Sequence, residues 1–547
     1  MQRSPAPAVY GLLLAGFVVA ALIIYSPALN GEFISDDGHY VATNHYVHAL
    51  TQENILAMLD PTSVLAVIVE NYAPVHVFLH ALEWQLFGTN VFGYHVVNVV
   101  LHALATWLLV LLYRRSGASM LGAALAGSVF LVHPANVEAV AWISQLKTSS
   151  AMILMLLALF SHPRRPLLGA LLFALALLAK PTAAVGLFVL IGFEWLRTRR
   201  TEAGSAELQP SPWRWGWIAV WAVILLLFAV AEFAAFSQTA GRAGPLYEDL
   251  GVRYRSVFAN ALRYLVLAST SRGLSTFQEP APAESFLDPW FLGSLVVLAL
   301  LGWRTLVVLR RRSVEAVFWL WSVVSFAPVC GVIPLPYPMA DRYLYYMLPG
   351  LIGGLLFAGP ELVSRVAGAL GRGIEPKLWL GLKLATALLI LVFAMRSFDR
   401  AYVWRAPFFV MADAEKNYPQ GTAAKTRQAT RAALVGDAET AVAALRAAYA
   451  RGYNRLDHLL GPQYNRIQDD AAFQALKREM AREWVDRVEV RPSPSQVELR
   501  AAAQGYVVLG DLDAAVRAIE RALEVGGPVD EEILHRDLER MERALRF

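Results

Sequence analysis

The sequence predicts an all-α, polytopic membrane bundle followed by a soluble C-terminal domain of short helical repeats. Three observations lead there. Apolar residues make up 56% of the 547 residues and charged residues only 17%, against roughly 25% charged in soluble domains. The apolar residues are gathered into long runs before about residue 400, where a helix crossing hydrocarbon needs about 20 of them. From Asn417 onward the texture changes to Ala, Arg, Glu and Asp. We therefore expect a membrane domain over residues 1–400 and a helical domain over 401–547.

Eleven runs qualify as spans: 10–26, 94–113, 121–132, 148–160, 167–178, 182–196, 215–236, 291–309, 314–332, 344–362 and 378–395. The first, preceded by Arg3, has the look of a signal peptide. It reads as an uncleaved span, because many spans follow and the segment after it carries candidate chemistry. Residues 255–270 form a further apolar helix, expected to lie at the surface or to re-enter. Basic clusters at Arg114–Arg115, Arg164–Arg165, Arg197–Arg200 and Arg310–Arg312 set the orientation, since cytoplasmic loops are rich in Lys and Arg. Placing all four inside makes the spans alternate. The N-terminus is then cytoplasmic, and the C-terminal domain lies outside an inner (plasma) membrane.

Cys330 is the single cysteine, so no internal disulfide can form. The net charge of +4 is modest, and no basic patch interleaved with aromatics suggests nucleic-acid binding. Walker loops, dinucleotide fingerprints and nucleophile elbows are missing from the sequence. In the C-terminal part, residues 496–509, Gly510–Asp511 and 512–525 read as helix, tight turn and helix, stopped by Gly526-Gly527-Pro528. Residues 426–434, Gly436–Asp437 and 438–450 look like a second copy, at a spacing that resembles a tetratricopeptide (TPR) repeat. The helix over 473–487 or the membrane domain would cap this short array. Two generic helical hairpins are the alternative.

The candidate chemistry lies on the outer side. The first outer loop, 30–93, is long and holds acidic, His and aromatic residues. Asp36 and Asp37 stand about ten residues after the first span. A carboxylate there can take a proton from an acceptor hydroxyl, although acids outside a membrane are often only solvated. His133 to Trp142 joins two spans and includes Glu138, with Lys147 beyond. The plainer reading of that stretch is an interfacial anchor. Lys180 interrupts an apolar stretch, which is costly unless it faces a polar cavity or snorkels. Asp341-Arg342-Tyr343 opens the tenth span after Pro334, Pro336 and Pro338. Arg342 can pair with Asp341 or bind a phosphate. His76 and His80 are one helical turn apart, compatible with a divalent metal, but no further ligand stands at a recognisable spacing. No cofactor is therefore assigned.

Several stretches together resemble a known family. They are Asp36–Asn44, Asn71-Tyr-Ala-Pro74, Phe87 to His102 with His95 and His102, His133–Trp142, Lys147, Ala179-Lys-Pro181 and Asp341-Arg-Tyr-Leu-Tyr345. In this order, and followed by the C-terminal repeats, they are similar to the transmembrane and tetratricopeptide-repeat O-mannosyltransferases and their bacterial relatives in the GT-C superfamily. Ala73 stands where that family usually has Arg, and Gln145-Leu-Lys147 where it commonly has Gly-Arg-Lys. The resemblance implies inverting transfer of a mannose-like sugar from a polyprenyl-phosphate donor to an acceptor hydroxyl. It implies an acid of the first outer loop as base, Asp36 before Asp37, and Arg342, Lys180 and Lys147 as the phosphate-binding cations. His133, Glu138, Asp341, Tyr343, His95 and His102 are then the supporting residues. A protein or peptide acceptor, held through the TPR-like domain, is the first expectation, and an envelope glycan or lipid the second. A lipid or solute transporter would instead show inverted repeats and broken midplane helices. A TPR scaffold would need a single anchor.

Overall fold

The computed structural model describes residues 7–202, 213–237, 249–332, 337–371, 373–491, 493–526, 529 and 531–545. Pro334, Pro336, Gly527, Pro528 and the side chains of Arg199 and Arg200 lie outside the described residues. The chain divides into two compact units. One comprises Met1–Leu59, Ala73–Glu232 and Pro245–Val410, the other Asp60–Tyr72, Phe233–Gly244 and Met411–Phe547.

Each of the eleven apolar runs falls on a helix. These are Pro7–Tyr25, Val91–Arg115, Met120–Leu131, Leu146–Ser161, Pro166–Ala179, Val185–Glu202, Trp213–Ser237, Pro289–Arg310, Val314–Phe326, Leu344–Leu370 and Glu375–Val403. Among the described residues seven helices are long and apolar enough to cross a membrane by themselves, so the protein is membrane-embedded. Pro166–Ala179 and Val314–Val329 are shorter apolar helices. Met120–Leu131 continues, through a 50° bend, into Pro134–Ala141. Pro134 causes that bend. It bars His133 from helical backbone, and His133 takes φ −70°, ψ 123° while its ring accepts the Ala135 amide.

Burial separates the helices. The windows of Ile143–Ser161 and Val91–Arg115 are 78% and 61% buried, whereas those of Pro289–Arg310 and Glu375–Val403 are 11% and 6% buried. The first pair forms the centre of the bundle, and the second pair turns apolar side chains to lipid. Between Val314–Phe326 and Leu344–Leu370 the contact depends on glycine. A Cβ at Gly353 would collide with the Phe318 ring, and one at Gly354 would meet the Trp319 indole at 2.7 Å. Small residues let membrane helices approach closely where no hydrophobic force separates them from lipid. Pro349 breaks the ladder of the second helix, and the Ser322 and Ser325 hydroxyls donate to its Met347 and Tyr346 carbonyls at 3.0 Å.

The 255–270 run lies on Leu250–Thr270, which is not among the helices long and apolar enough to span. Much of the first outer loop is helical: Gly38–Ala42, His45–His48, Gln52–Leu59 and Pro74–Phe87.

In the second unit two helical hairpins share one turn geometry. Thr422–Val435 and Ala438–Tyr449 are joined by Gly436–Asp437, and Gln496–Leu509 and Leu512–Val525 by Gly510–Asp511. Both glycines are left-handed, at φ 85° and 86°. In each turn the Asp amide reaches back to a helical carbonyl at 2.9 Å, Asp437 to Ala432 and Asp511 to Tyr506. This is the Schellman arrangement, which favours glycine because a Cβ is strained there. Each Asp side chain then caps the next helix, accepting the Thr440 or the Ala514 amide. Ala471–Glu489 lies between the hairpins: its Phe473, Leu476 and Met480 pack with the first core, and its Val488 with the second.

Gly436→Ala and Gly510→Ala should each destabilise their hairpin by about 1 kcal/mol. Hydrogen exchange on the full chain in detergent checks this. Exchange should speed up over 422–449 or 496–525 respectively, with 91–161 unaffected.

Candidate active site

The 30–93 loop is pinned to the bundle by one acid of the adjacent pair Asp36 and Asp37. Ser35 takes a positive φ of 52°, uncommon for a residue with a side chain, just before the two carboxylates. Asp37 is 1% exposed. Its Oδ2 accepts the Ile34 amide at 2.8 Å, and its Oδ1 accepts the Ser144 amide at 2.8 Å and the Ser144 hydroxyl. Trp142 Nε1 donates to the Ile34 carbonyl at 3.1 Å, closing the clasp. Burial pushes the Asp37 carboxyl up to about 6, although these hydrogen bonds and the nearby His80 act in the opposite direction. Asp36 is different. It is half-buried, accepts the Ser35 hydroxyl at 3.1 Å, and lies within electrostatic range of Arg342.

Arg342 is one of three neighbouring basic residues, with Lys180 and Lys147. Arg342 is bound by Glu138, which accepts the Arg342 amide at 2.7 Å and forms an ion pair with the guanidinium. Glu138 is 1% exposed, whereas the Arg342 side chain keeps 21% of its surface open. The guanidinium also lies over Trp142, at 5.5 Å, and Tyr343, at 5.0 Å. Lys180 donates to Thr148 Oγ1 at 2.6 Å and to Gln145 Oε1 at 3.3 Å. Burial, with Lys147 and Arg342 close by, pushes its ammonium well below the usual lysine range, and Glu138 pulls it back. Lys147 donates to the Tyr40 hydroxyl at 3.0 Å. Asp36, Lys147, Lys180, Arg342 and Tyr343 all keep part of their surface open while surrounded by the bundle. These partly open side chains form the polar recess considered below, with Arg342 in electrostatic range of Asp36, and Lys180 in range of Arg342 and Lys147.

Of the two readings of Arg342, the pair with Asp341 does not form. Asp341 accepts Gln278 Nε2 at 2.7 Å and pairs with Arg400 at 3.4 Å. Three of the expected histidines are tied into the bundle rather than open to the recess. His133 bonds the Ala268 carbonyl at 2.8 Å. His102 bonds Tyr345 Oη and the Leu131 carbonyl, both at 3.0 Å. His95 is 2% exposed on Val91–Arg115. Among the described residues no group of three or more His, Cys, Asp or Glu could hold a metal ion. Sequence reasoning missed Tyr40, Ser144 and Thr148, the neutral partners of Lys147, Asp37 and Lys180. A hydroxyl beside an apolar run carries no signal of its own.

No protein-family model matches the chain. Over 192 residues it is 33% identical to protein O-mannosyl-transferase Tmtc1 of Drosophila melanogaster, covering 32% of this chain and 22% of that protein. Over 171 residues it is 34% identical to protein O-mannosyl-transferase TMTC1 of Homo sapiens, covering 29% and 18%. The chain is a relative of these O-mannosyl-transferases. Its matches span about a fifth of their length. A crystal structure of ArnT from Cupriavidus metallidurans bound to undecaprenyl phosphate aligns over 79% of this chain and 81% of its own. The identity there is 13% and the TM-score 0.36, too low to assign a shared fold.

Asp37 gives a signed pH dependence. Its folded pKa of about 6 lies above the ordinary 3.8, so the native state holds the proton more tightly than the unfolded chain. The stability this contributes is full below about pH 4 and is lost as pH rises through 6. Thermal unfolding in detergent between pH 4 and 7 should show wild-type Tm falling relative to Asp37→Asn. The loss is on the order of 2–3 kcal/mol.

Proposed function

We propose that this protein is a membrane glycosyltransferase of the GT-C type. It moves a mannose-like sugar from a polyprenyl-phosphate donor to an acceptor hydroxyl on the extracytoplasmic side of the inner membrane, with inversion. The observation that carries this reading is the recess itself. Asp36 is half-buried within electrostatic range of Arg342, and Arg342 neighbours Lys180, which neighbours Lys147.

Asp36 takes the proton from the acceptor hydroxyl as its oxygen attacks the anomeric carbon. The bond from that carbon to the phosphate oxygen breaks, and polyprenyl phosphate leaves with the electron pair. The sugar passes through an oxocarbenium-like transition state. Charge grows on the leaving phosphate, and cations already in place stabilise it without reorganising. Arg342 offers a planar fork suited to phosphate oxygens, and the lysines add point charges. Burial of Asp37 under three hydrogen bonds makes it the anchor of the loop, so Asp36 is the base. The similarity to O-mannosyl-transferases supports a protein or peptide acceptor, and the paired helical hairpins of the second unit are its expected docking surface. A glycan or lipid acceptor is the second reading.

Transfer in proteoliposomes from a panel of polyprenyl-phosphate sugars tests this. Asp36→Asn should lower turnover by 100-fold or more while donor binding persists. Asp37→Asn should lose activity only in step with stability, and Arg342→Gln should raise the donor KM. Full turnover by Asp36→Asn would remove that acid from the mechanism. No turnover of any donor by wild type, even with envelope extract as acceptor, would overturn the glycosyltransferase reading.

A further inference from the structure

Lys147 and Lys180 are held by neutral groups, whereas Arg342 is held by an acid. Arg342 is matched by the carboxylate of Glu138, so much of its charge is already answered. Lys147 instead rests on a neutral group. Its Nζ donates to Tyr40 Oη at 3.0 Å and lies 4.4 Å from the centre of the Tyr40 ring. Tyr40 is 2% exposed and cannot swing away. Behind it the His76 ring lies at 4.8 Å, His76 meets His80 edge-on at 4.5 Å, and His80 Nδ1 bonds Glu83 Oε2 at 2.7 Å. His76, His80 and Glu83 stand at helical spacing on one face of Pro74–Phe87, all buried.

This support answers a specific electrostatic difficulty. Lys147 stands within electrostatic range of Lys180, a second basic side chain. A lysine side chain is long and flexible, and beside a second basic group it would swing toward water. A carboxylate partner would stop that, but it would neutralise the ammonium and compete with an incoming anion. A phenol does neither: its oxygen accepts one N–H, and the face of its ring attracts the cation. The ammonium is thereby fixed with its charge unspent. Resting on the reading of the recess as a phosphate site, we infer that Tyr40 is a positioning residue that preorganises Lys147 for the phosphate of a polyprenyl-phosphate lipid. The His76–His80–Glu83 face keeps the Tyr40 ring in place.

Binding of undecaprenyl phosphate to the full-length protein in detergent tests this, with undecaprenol as the neutral control. The variants are Tyr40→Phe, which keeps the ring and loses the hydroxyl, Tyr40→Leu, which loses both, Lys147→Ala, and the Tyr40→Phe/Lys147→Ala double variant. Tyr40→Phe should weaken phosphate-lipid binding about 3- to 10-fold, the scale of one net hydrogen bond, and Tyr40→Leu should weaken it further. Undecaprenol binding should not change. In the Lys147→Ala background Tyr40→Phe should have no further effect, which a merely structural role would not produce. Unchanged binding by Tyr40→Phe, or the same loss with and without Lys147, would overturn the inference. If wild type binds the phosphate lipid but transfers no sugar, the coupling of Tyr40 to Lys147 is still read from binding, and only the glycosyl-transfer reading falls. If wild type binds no phosphate lipid, both fall.

Discussion

Glu138 takes both the backbone amide and the guanidinium of Arg342, and that double contact joins two parts of the bundle that are 204 positions apart. A charge buried among apolar helices is tolerated only with a partner or enough hydrogen bonds. Glu138 sits on the short helix after the proline bend, and Arg342 on the turn that opens Leu344–Leu370. Their pairing fixes the relative position of the bend and the turn. The clasp from Asp37 to Ser144 then lays the outer loop against the same stretch. Lys180 is brought beside Lys147 separately, through its own contacts to Thr148 and Gln145.

The surrounding helices make this local concentration of charge affordable. The central windows are mostly buried, while the peripheral ones present apolar surface to lipid. Glycines at 350, 353 and 354 bring one helix onto Phe318 and Trp319 with no room for a side chain, and dense packing of this kind resists relaxation. The recess is therefore lined by side chains whose supports are themselves held. Thr148 and Gln145 hold Lys180, and Tyr40 holds Lys147.

Much of the fold was legible because hydrophobic runs are local. All eleven apolar runs lie on helices, and the repeated Gly-Asp turn of the second unit could be read directly, since a left-handed residue followed by a cap has few sequence solutions. Span ends were less legible. Tertiary packing and prolines set them, as at His133–Pro134. The site was legible by residue type, not by partner. Two adjacent acids were visible at 36 and 37, yet their difference arises from Ser144, 107 positions away. Arg342 stood beside Asp341 in sequence, yet it found its partner in Glu138.

The sequence alone determined that this chain is a helical membrane protein with a long loop of acids and histidines after its first apolar run, isolated cations between its apolar runs, and a helical-hairpin texture at its C-terminus. Those properties follow from composition and short-range periodicity. Only the tertiary structure decided which acid is buried and which is open, which carboxylate answers which cation, and that one lysine is held by a phenol rather than by an acid. Electrostatic pairing depends on distance in space and on shielding from water, and neither is written in the order of residues along the chain.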